Sequence, residues 1–341
     1  MKTKFYFLSL AKVQQLRIPL KHRKASKIVQ SLFSGILLVY LASKLKWQHL
    51  IQLIAETNSN LLVIAPVFLL LAFLFAAARW HYILKDMNIH RRVEQLYAYY
   101  LIGLFYGIFL PGAIGGDIVR VAICNSEKEK ALLKITNSVI VERICGITAL
   151  FFMGSFAIIL LLPQSTLSLL GNSLVTSVKY VSILLILVLI GFLFFKTYLK
   201  GKLNPEHNSE EIQNRFLNLF SSLKQLTPST IFVTLAFSGL LQSFDIIASF
   251  IIAKAFGIFV SLPLFFAIMP VVYIATILPI SLGGLGVREG VFVFLLTKVN
   301  VLTSDAVALS FMVYINRVLV GMLGGVIHLL RARSVKLIHK A

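Results

Sequence analysis

Charge is what this sequence has least of. Only 13% of its residues are Asp, Glu, Lys or Arg, about half the roughly 25% of a soluble domain. Against that stand 58% hydrophobic residues and a mean hydropathy of +0.88. A single globular core cannot absorb that many apolar stretches. Cysteine is almost missing too: Cys124 and Cys145 alone exclude a disulfide framework and a thiolate metal site. The histidines (His22, His49, His81, His90, His207, His328 and His339) never fall as a close pair, which argues against a histidine metal site. There is no Walker A motif. The longest polar stretch between apolar runs, about 200–228, is loop-sized and leaves no room for a soluble catalytic domain. No metal and no cofactor are expected.

Acidic residues are scarce within the small charged fraction. There are 33 Lys and Arg against 13 Asp and Glu, a formal net charge of +20. In a soluble protein that excess would suggest nucleic acid. Here the basic residues gather at the ends of apolar runs, where they meet lipid headgroups and set topology, so no nucleic-acid partner is expected.

What the sequence does have is apolar length. Stretches near 28–45, 60–79, 132–162, 179–199, 229–256 and 303–330 are long enough to cross a bilayer as helices, giving six expected crossings. Two further apolar segments, 95–111 and 262–279, each run into a proline and a glycine pair. Residues 1–27 hold eight Lys or Arg and no acid. Leu41-Ala42-Ser43 is a poor match to a signal-peptide cleavage site, so the reading is a cytoplasmic N-terminus before an uncleaved first helix. Basic residues mark the loop after 60–79 (Arg79, Lys85, Arg91, Arg92), the segment after the first break (Arg120, Lys128, Lys130, Lys134), the 200–228 loop and the C-terminal tail. By the positive-inside rule these are cytoplasmic, as are both termini, in the cytoplasmic membrane. At each break, a re-entrant hairpin and a pair of short crossings satisfy the same parity.

The two breaks match position by position. PGAIGGDIVR at 111–120 and PISLGGLGVREG at 279–290 share proline, glycine pair and arginine at identical offsets. Each is followed by a span with a central arginine, Val141-Glu142-Arg143 in one and Ile315-Asn316-Arg317 in the other. The order of elements also repeats. Because each unit crosses an odd number of times, the second must lie upside down relative to the first, the inverted-repeat plan of many secondary transporters. The expected organisation is a basic segment at 1–27, a first transmembrane repeat at 28–162, a second, inverted repeat at 179–331 and a tail at 332–341. The expected fold class is therefore an all-α polytopic membrane protein with six crossings and two re-entrant or broken elements.

The breaks also carry the candidate chemistry. Proline ends the incoming helix, and glycine permits positive φ and close backbone approach. A second helix then starts near Asp117 or Leu285 with unpaired N–H groups and the positive end of its dipole. Arg120 and Arg288 lie about one turn inside those starts. Together these groups suit a phosphate or carboxylate. Glu142 and Arg143 fall about ten residues, or about 15 Å, into their span, and Arg317 and Asp245 are comparably central. A charge there costs at least about 2.5–3.5 kcal/mol, so each is expected to face the interior with a partner. Glu142 and Asp245 read as counter-charges. Asp117 reads as a helix cap or a ligand. Glu289, next to Arg288, is expected on a different face. Asn316 can hydrogen-bond without a charge cost. Tyr97, Tyr99, Tyr100 and Tyr106 read as interfacial or packing residues. The candidate substrate-binding set is Gly115, Gly116, Asp117, Arg120, Glu142, Arg143, Asp245, Gly283, Gly284, Arg288, Glu289 and Arg317, and no catalytic residue is expected.

These motifs make the chain resemble the lysylphosphatidylglycerol synthase transmembrane, or flippase-like, family from about 28 to 331. The glycine motifs are the most specific part of the likeness. In larger members of that family the membrane region precedes an aminoacyl-transferase domain and moves the modified lipid across the membrane. The resemblance implies a stand-alone member without the synthetase half, for which lysyl transfer from tRNA is not expected. By that likeness Arg120, Arg288 and Glu289 occupy the glycine-motif positions, and Glu142 and Arg143 the central helix. The functional expectation is a translocase of a phospholipid or polyprenyl-phosphate-type lipid, with an anionic membrane lipid as its partner and a homo-oligomer compatible with the reading. The other readings are a transporter of small soluble anions and a membrane-embedded enzyme acting on lipid headgroups. The enzyme lacks support in the sequence, which has no His–Asp or Ser–His arrangement.

Overall fold

Large apolar side chains coat the outside of this protein, while arginine, glutamate, serine and threonine lie inside. In a computed structural model of the chain, Val63, Leu133, Leu160, Phe232 and Leu329 are exposed, and Arg79, Arg120, Ser138, Glu142, Thr234 and Ser238 are buried. That polarity suits a hydrocarbon solvent, where backbone and charged groups must find partners within the protein.

The structure describes residues 59–109, 115–126, 131–163, 226–277 and 286–338, with a few isolated positions besides. The expected spans 28–45 and 179–199, the 1–27 segment, most of the 200–228 loop and the glycine pair Gly283–Gly284 lie outside the described residues.

Among the described residues there are eight α-helices: α1 (Ser59–Asp86), α2 (Val93–Phe109), α3 (Gly115–Ser126), α4 (Leu132–Phe156), α5 (Pro228–Ala255), α6 (Leu262–Ile277), α7 (Val287–Lys298) and α8 (Thr303–Ile338). A π-helical turn, Ala157–Leu161, continues α4. Four stretches are long and apolar enough to cross a membrane, Ser59–Asp86, Leu132–Leu161, Pro228–Ala255 and Thr303–Arg331. They coincide with four expected spans. In one of these the expectation needs correction. The span read as ending at Arg79 runs on to Asp86, because Arg79 has partners inside the protein and so does not mark the water boundary.

The element order repeats. Helices of 28, 17, 12 and 25 residues are followed by helices of 28, 16, 12 and 36. Even the turns correspond: α1 is followed by Asn88 at φ 60° and α5 by Gly257 at φ 68°, left-handed conformations that release the chain from a helix. At about 1.5 Å per residue, α3 and α7 are each about 18 Å long, too short for a hydrocarbon layer of about 30 Å.

The central contact is between α1 and α5, which run antiparallel. Asp86, at the end of α1, accepts the Thr227 N–H at 2.8 Å just before α5 begins. Thr227 caps α5 by accepting the Thr230 N–H at 3.2 Å, with Pro228 as first helical residue. Further along the pair, Phe75 stacks on Phe237 at 6.2 Å and Phe68 on Phe244 at 5.5 Å. Around this pair each half leans on the other: α2 packs on α8, and α6 on α4. The largest apolar cluster joins the end of α4 to α5–α8 around Phe265, Phe292 and Leu296. A second gathers Trp80, Tyr99, Cys124 and Val139 from α1–α4.

Glycine sets how closely the short helices approach. A Cβ at Gly116 would lie 2.5 Å from the carbonyl oxygen of Gly103, so α3 crosses α2 backbone to backbone. Likewise a Cβ at Gly324 would run into the backbone of Leu101, which locks α8 to α2. Gly116→Val should therefore cost at least about 1–3 kcal/mol of stability, as overpacking does. Gly239→Ala, where nothing lies within 4 Å, should be neutral or stabilising. Thermal unfolding of the purified protein in detergent checks both.

Candidate functional site

Five helices contribute to one buried ionic node in the first half. Glu142, on α4 and 1% exposed, is its centre. Its Oε1 accepts from Arg79 of α1 at 3.3 Å (Nε) and 3.2 Å (Nη2), and from the Tyr100 hydroxyl of α2. Its Oε2 accepts from Arg120 Nη1 of α3 at 2.6 Å. Arg79 spends its remaining fork on Ser238 of α5, at 3.0 Å. Arg120 also donates through Nε to Asp117 Oδ1 at 3.0 Å, one turn earlier on α3. Asp117 Oδ2 in turn accepts from Arg143 of α4, through Nε at 2.9 Å and through Nη2. Charge therefore runs in a chain Arg79–Glu142–Arg120–Asp117–Arg143.

Aromatic faces complete the node. The Arg120 guanidinium lies over Tyr100 at 4.4 Å and over Trp80 at 4.7 Å from the ring centres, contacts that attract a cation. Trp80 is itself fixed, since its indole N–H donates to Ser138 Oγ at 2.8 Å. Glu142 is thus held by four donor groups from three helices, and breaking it apart would strand two buried arginines.

The second half is built more sparsely. Arg317 of α8 donates through Nη2 to Asp245 Oδ2 of α5 at 2.5 Å, with its guanidinium 5.5 Å from the ring of Tyr273 on α6. Arg288 of α7 donates through Nε to Glu289 Oε1 at 3.0 Å and lies 5.2 Å from Tyr314 of α8. Glu289 Oε2 meanwhile accepts the Gly286 N–H at 2.7 Å, closing the first turn of α7. Asn316 stands where the first half has Glu142. Its Oδ1 is buried without a hydrogen-bond partner among the described residues.

The sequence-derived candidates therefore separate into two groups of contacts. Asp117, Arg120, Glu142 and Arg143 meet in one network, joined by the start of α3 at Gly115 and Gly116. Asp245 and Arg317 form a second pair, and Arg288 and Glu289 a third. The expectation that Glu289 faces away from Arg288 is corrected, because the long arginine stem folds back along α7 to reach its neighbour's carboxylate. Three participants were missed. Arg79 looked like a loop-flanking charge because its sequence neighbours Lys85, Arg91 and Arg92 flank one. Tyr100 looked like a packing aromatic, yet its hydroxyl donates to Glu142. Ser238 offered no signal at all. The one available hint was that Arg79 follows a long apolar run with no acidic residue near it to serve as partner.

Fold and site together define a polytopic α-helical membrane protein whose interior holds paired ions on its shortest helices. The chain belongs to the lysylphosphatidylglycerol synthase transmembrane-region family, whose model matches residues 27–325. It is also similar to a UPF0104 membrane protein from Methanocaldococcus jannaschii, at 23% identity over 309 residues, covering 83% of this chain and 87% of that one.

Two stability tests follow from the geometry. Glu142→Gln leaves Arg79 and Arg120 without their shared carboxylate and should cost about 3–5 kcal/mol. In the second half, Asp245→Asn combined with Arg317→Met should cost less than either change alone, since no unpaired buried charge is left. Denaturant unfolding in mixed micelles reads both.

Proposed function

We propose that this protein is a lipid translocase of the cytoplasmic membrane, moving a phospholipid or polyprenyl-phosphate-type lipid without altering it chemically. The observation that carries this reading is that a buried arginine, Arg120, and a half-buried one, Arg288, each with a carboxylate partner, sit on the two short helices that follow the breaks. Arg120 on α3 reads by position as a topology charge, but it is paired with Glu142 and Asp117, as Arg288 on α7 is with Glu289. In hydrocarbon such groups mark a substrate path. Helix starts beside them add backbone N–H groups suited to phosphate.

The architecture supports the transport step. The proposed second repeat is inverted, as the antiparallel α1–α5 pair and the matching helix lengths favour. A two-fold axis in the membrane plane relates such repeats, and rocking one against the other alternates access to a central site. In this reading the chain has six crossings, cytoplasmic termini, and a headgroup site formed by Gly115, Gly116, Asp117, Arg120, Glu142, Arg143, Asp245, Gly283, Gly284, Arg288, Glu289 and Arg317. The family takes its name from a lysylphosphatidylglycerol synthase, which fits a lipid cargo.

Reconstitution into sealed vesicles carrying a fluorescent phospholipid in both leaflets provides the test. Protein-containing vesicles should expose the inner-leaflet label to an impermeant quencher, and an Arg120→Ala/Arg288→Ala double variant should slow that exposure at least about tenfold, the equivalent of about 1.4 kcal/mol. Unchanged label accessibility with wild-type protein, together with saturable uptake of a soluble anion, would replace lipid translocation by anion transport.

A further inference from the structure

The second half holds buried polar atoms that bond to nothing. Arg317 of α8 donates to Asp245 of α5 through Nη2 at 2.5 Å, but its Nε is buried without a hydrogen-bond partner. The ring of Tyr273, on α6, lies 5.5 Å from the same guanidinium. Its hydroxyl stands beside Asp245 and Arg317, yet it too is buried and makes no hydrogen bond. One residue back along α8, Asn316 is 7% exposed and its Oδ1 is unbonded. The first half contrasts with this. There both oxygens of Glu142, the Tyr100 hydroxyl and the Nε of Arg120 all have partners. A buried polar atom left unbonded is costly, and folded proteins keep few of them without a reason.

The chemistry of these atoms narrows what would satisfy them. Arg317 Nε only donates, Asn316 Oδ1 only accepts, and the Tyr273 hydroxyl does either. A phosphate or carboxylate oxygen would accept from Arg317 but would meet the carboxylate of Asp245. An ammonium would donate to Asp245 but would meet the guanidinium. A hydroxyl both accepts and donates, so it can bridge Arg317 Nε or Tyr273 to Asp245 without facing a like charge. The pair also borders an opening, with side-chain exposure of 23% for Arg317 and 13% for Asp245, against 1% for Glu142. Its unbonded atoms are turned inward in this state. Arg317 and Asp245 are joined through one nitrogen and one oxygen, so an entering group has a single bond to exchange.

We propose that Tyr273, Arg317 and Asp245 form a hydroxyl-recognition subsite, which selects a headgroup bearing a polyol or sugar over one of equal charge without hydroxyls. Tyr273 is its specificity-determining residue. The subsite rests on the lipid-translocase reading for the source of its ligand, since a soluble polyol phosphate carries the same chemistry.

The test uses the full chain in nanodiscs of phosphatidylcholine doped equally with phosphatidylglycerol and phosphatidylethanol, with native mass spectrometry counting retained lipids. The two dopants share the same phosphodiester charge and differ in the hydroxyls of the headgroup. Wild-type protein should retain phosphatidylglycerol about tenfold over phosphatidylethanol, the scale of one hydrogen bond to a charged group. A site built around a hydroxyl rejects the analogue that lacks it. Tyr273→Phe should abolish that preference. Because it removes a buried hydroxyl that bonds to nothing, it should leave thermal stability unchanged or higher. Arg317→Lys keeps the cation but removes Nε, and should lower the preference as well. Equal retention of the two dopants by wild type would mean that the subsite holds a buried water only, and overturns the proposal. A preference unchanged in Tyr273→Phe overturns it too. The vesicle assay on the same preparations separates this subsite from the translocase reading. Movement of both dopants with equal retention refutes hydroxyl recognition and leaves translocation standing. A hydroxyl preference without lipid movement, with the bound lipid displaced by soluble glycerophosphoglycerol, upholds the subsite and refutes the lipid cargo.

Discussion

The carboxylate of Glu142 is the point on which the first half of the structure depends. Removed from water, it can stay charged only if donors replace its hydration, and four donor groups from α1, α2 and α3 do so. Those helices are consequently fixed about α4 at one height. Arg79 extends the constraint to Ser238 on α5. Lipid offers no hydrophobic force to press helices together, so such polar contacts and close backbone crossings define their arrangement. The α2–α3 crossing at Gly103 and Gly116 brings Arg120 within reach of Glu142. The glycine pair thus serves the ionic node by letting the helix that carries its arginine come close.

The two halves share a plan and differ in how firmly it is fastened. Where α4 presents Glu142, α8 presents Asn316, and no residue of α5 plays the part of Arg79. Arg288 then has only its own neighbour's carboxylate, and Arg317 a single aspartate. The translocation proposed above would ask for such a difference, because a bundle that rocks needs one interface that holds and another whose contacts can be exchanged. The first half fits the holding role, with charge shared among helices. The second is made of pairs that can move without stranding a carboxylate held by several helices.

Placement of charge separates a membrane protein of this kind from a soluble one. Nearly all of the large formal excess of Lys and Arg lies at the ends of the spans, where water and headgroups screen it. Inside, each charge costs several kcal/mol unless it is paired, and Arg79, Arg120, Arg143, Arg288 and Arg317 each meet a carboxylate.

Much was determined by the sequence alone. Composition required a membrane, apolar length located four described helices to within a few residues at most ends, and the repeated proline, glycine pair and arginine located both breaks. Those features are local, since hydrophobic runs and helix breakers act on their own segments. Pairing was decided only by the tertiary structure. Arg79 looked like a topology charge and Tyr100 like a packing ring, because nothing within a few residues of either reveals a carboxylate 63 or 42 positions away. Glu289 and Arg288 pair where alternation of faces would part them, because a long flexible side chain overrides the helical register of its backbone. Partner choice inside a bilayer follows from which helices cross and at what depth. That depends on glycine-to-backbone contacts between distant segments, which no local pattern encodes.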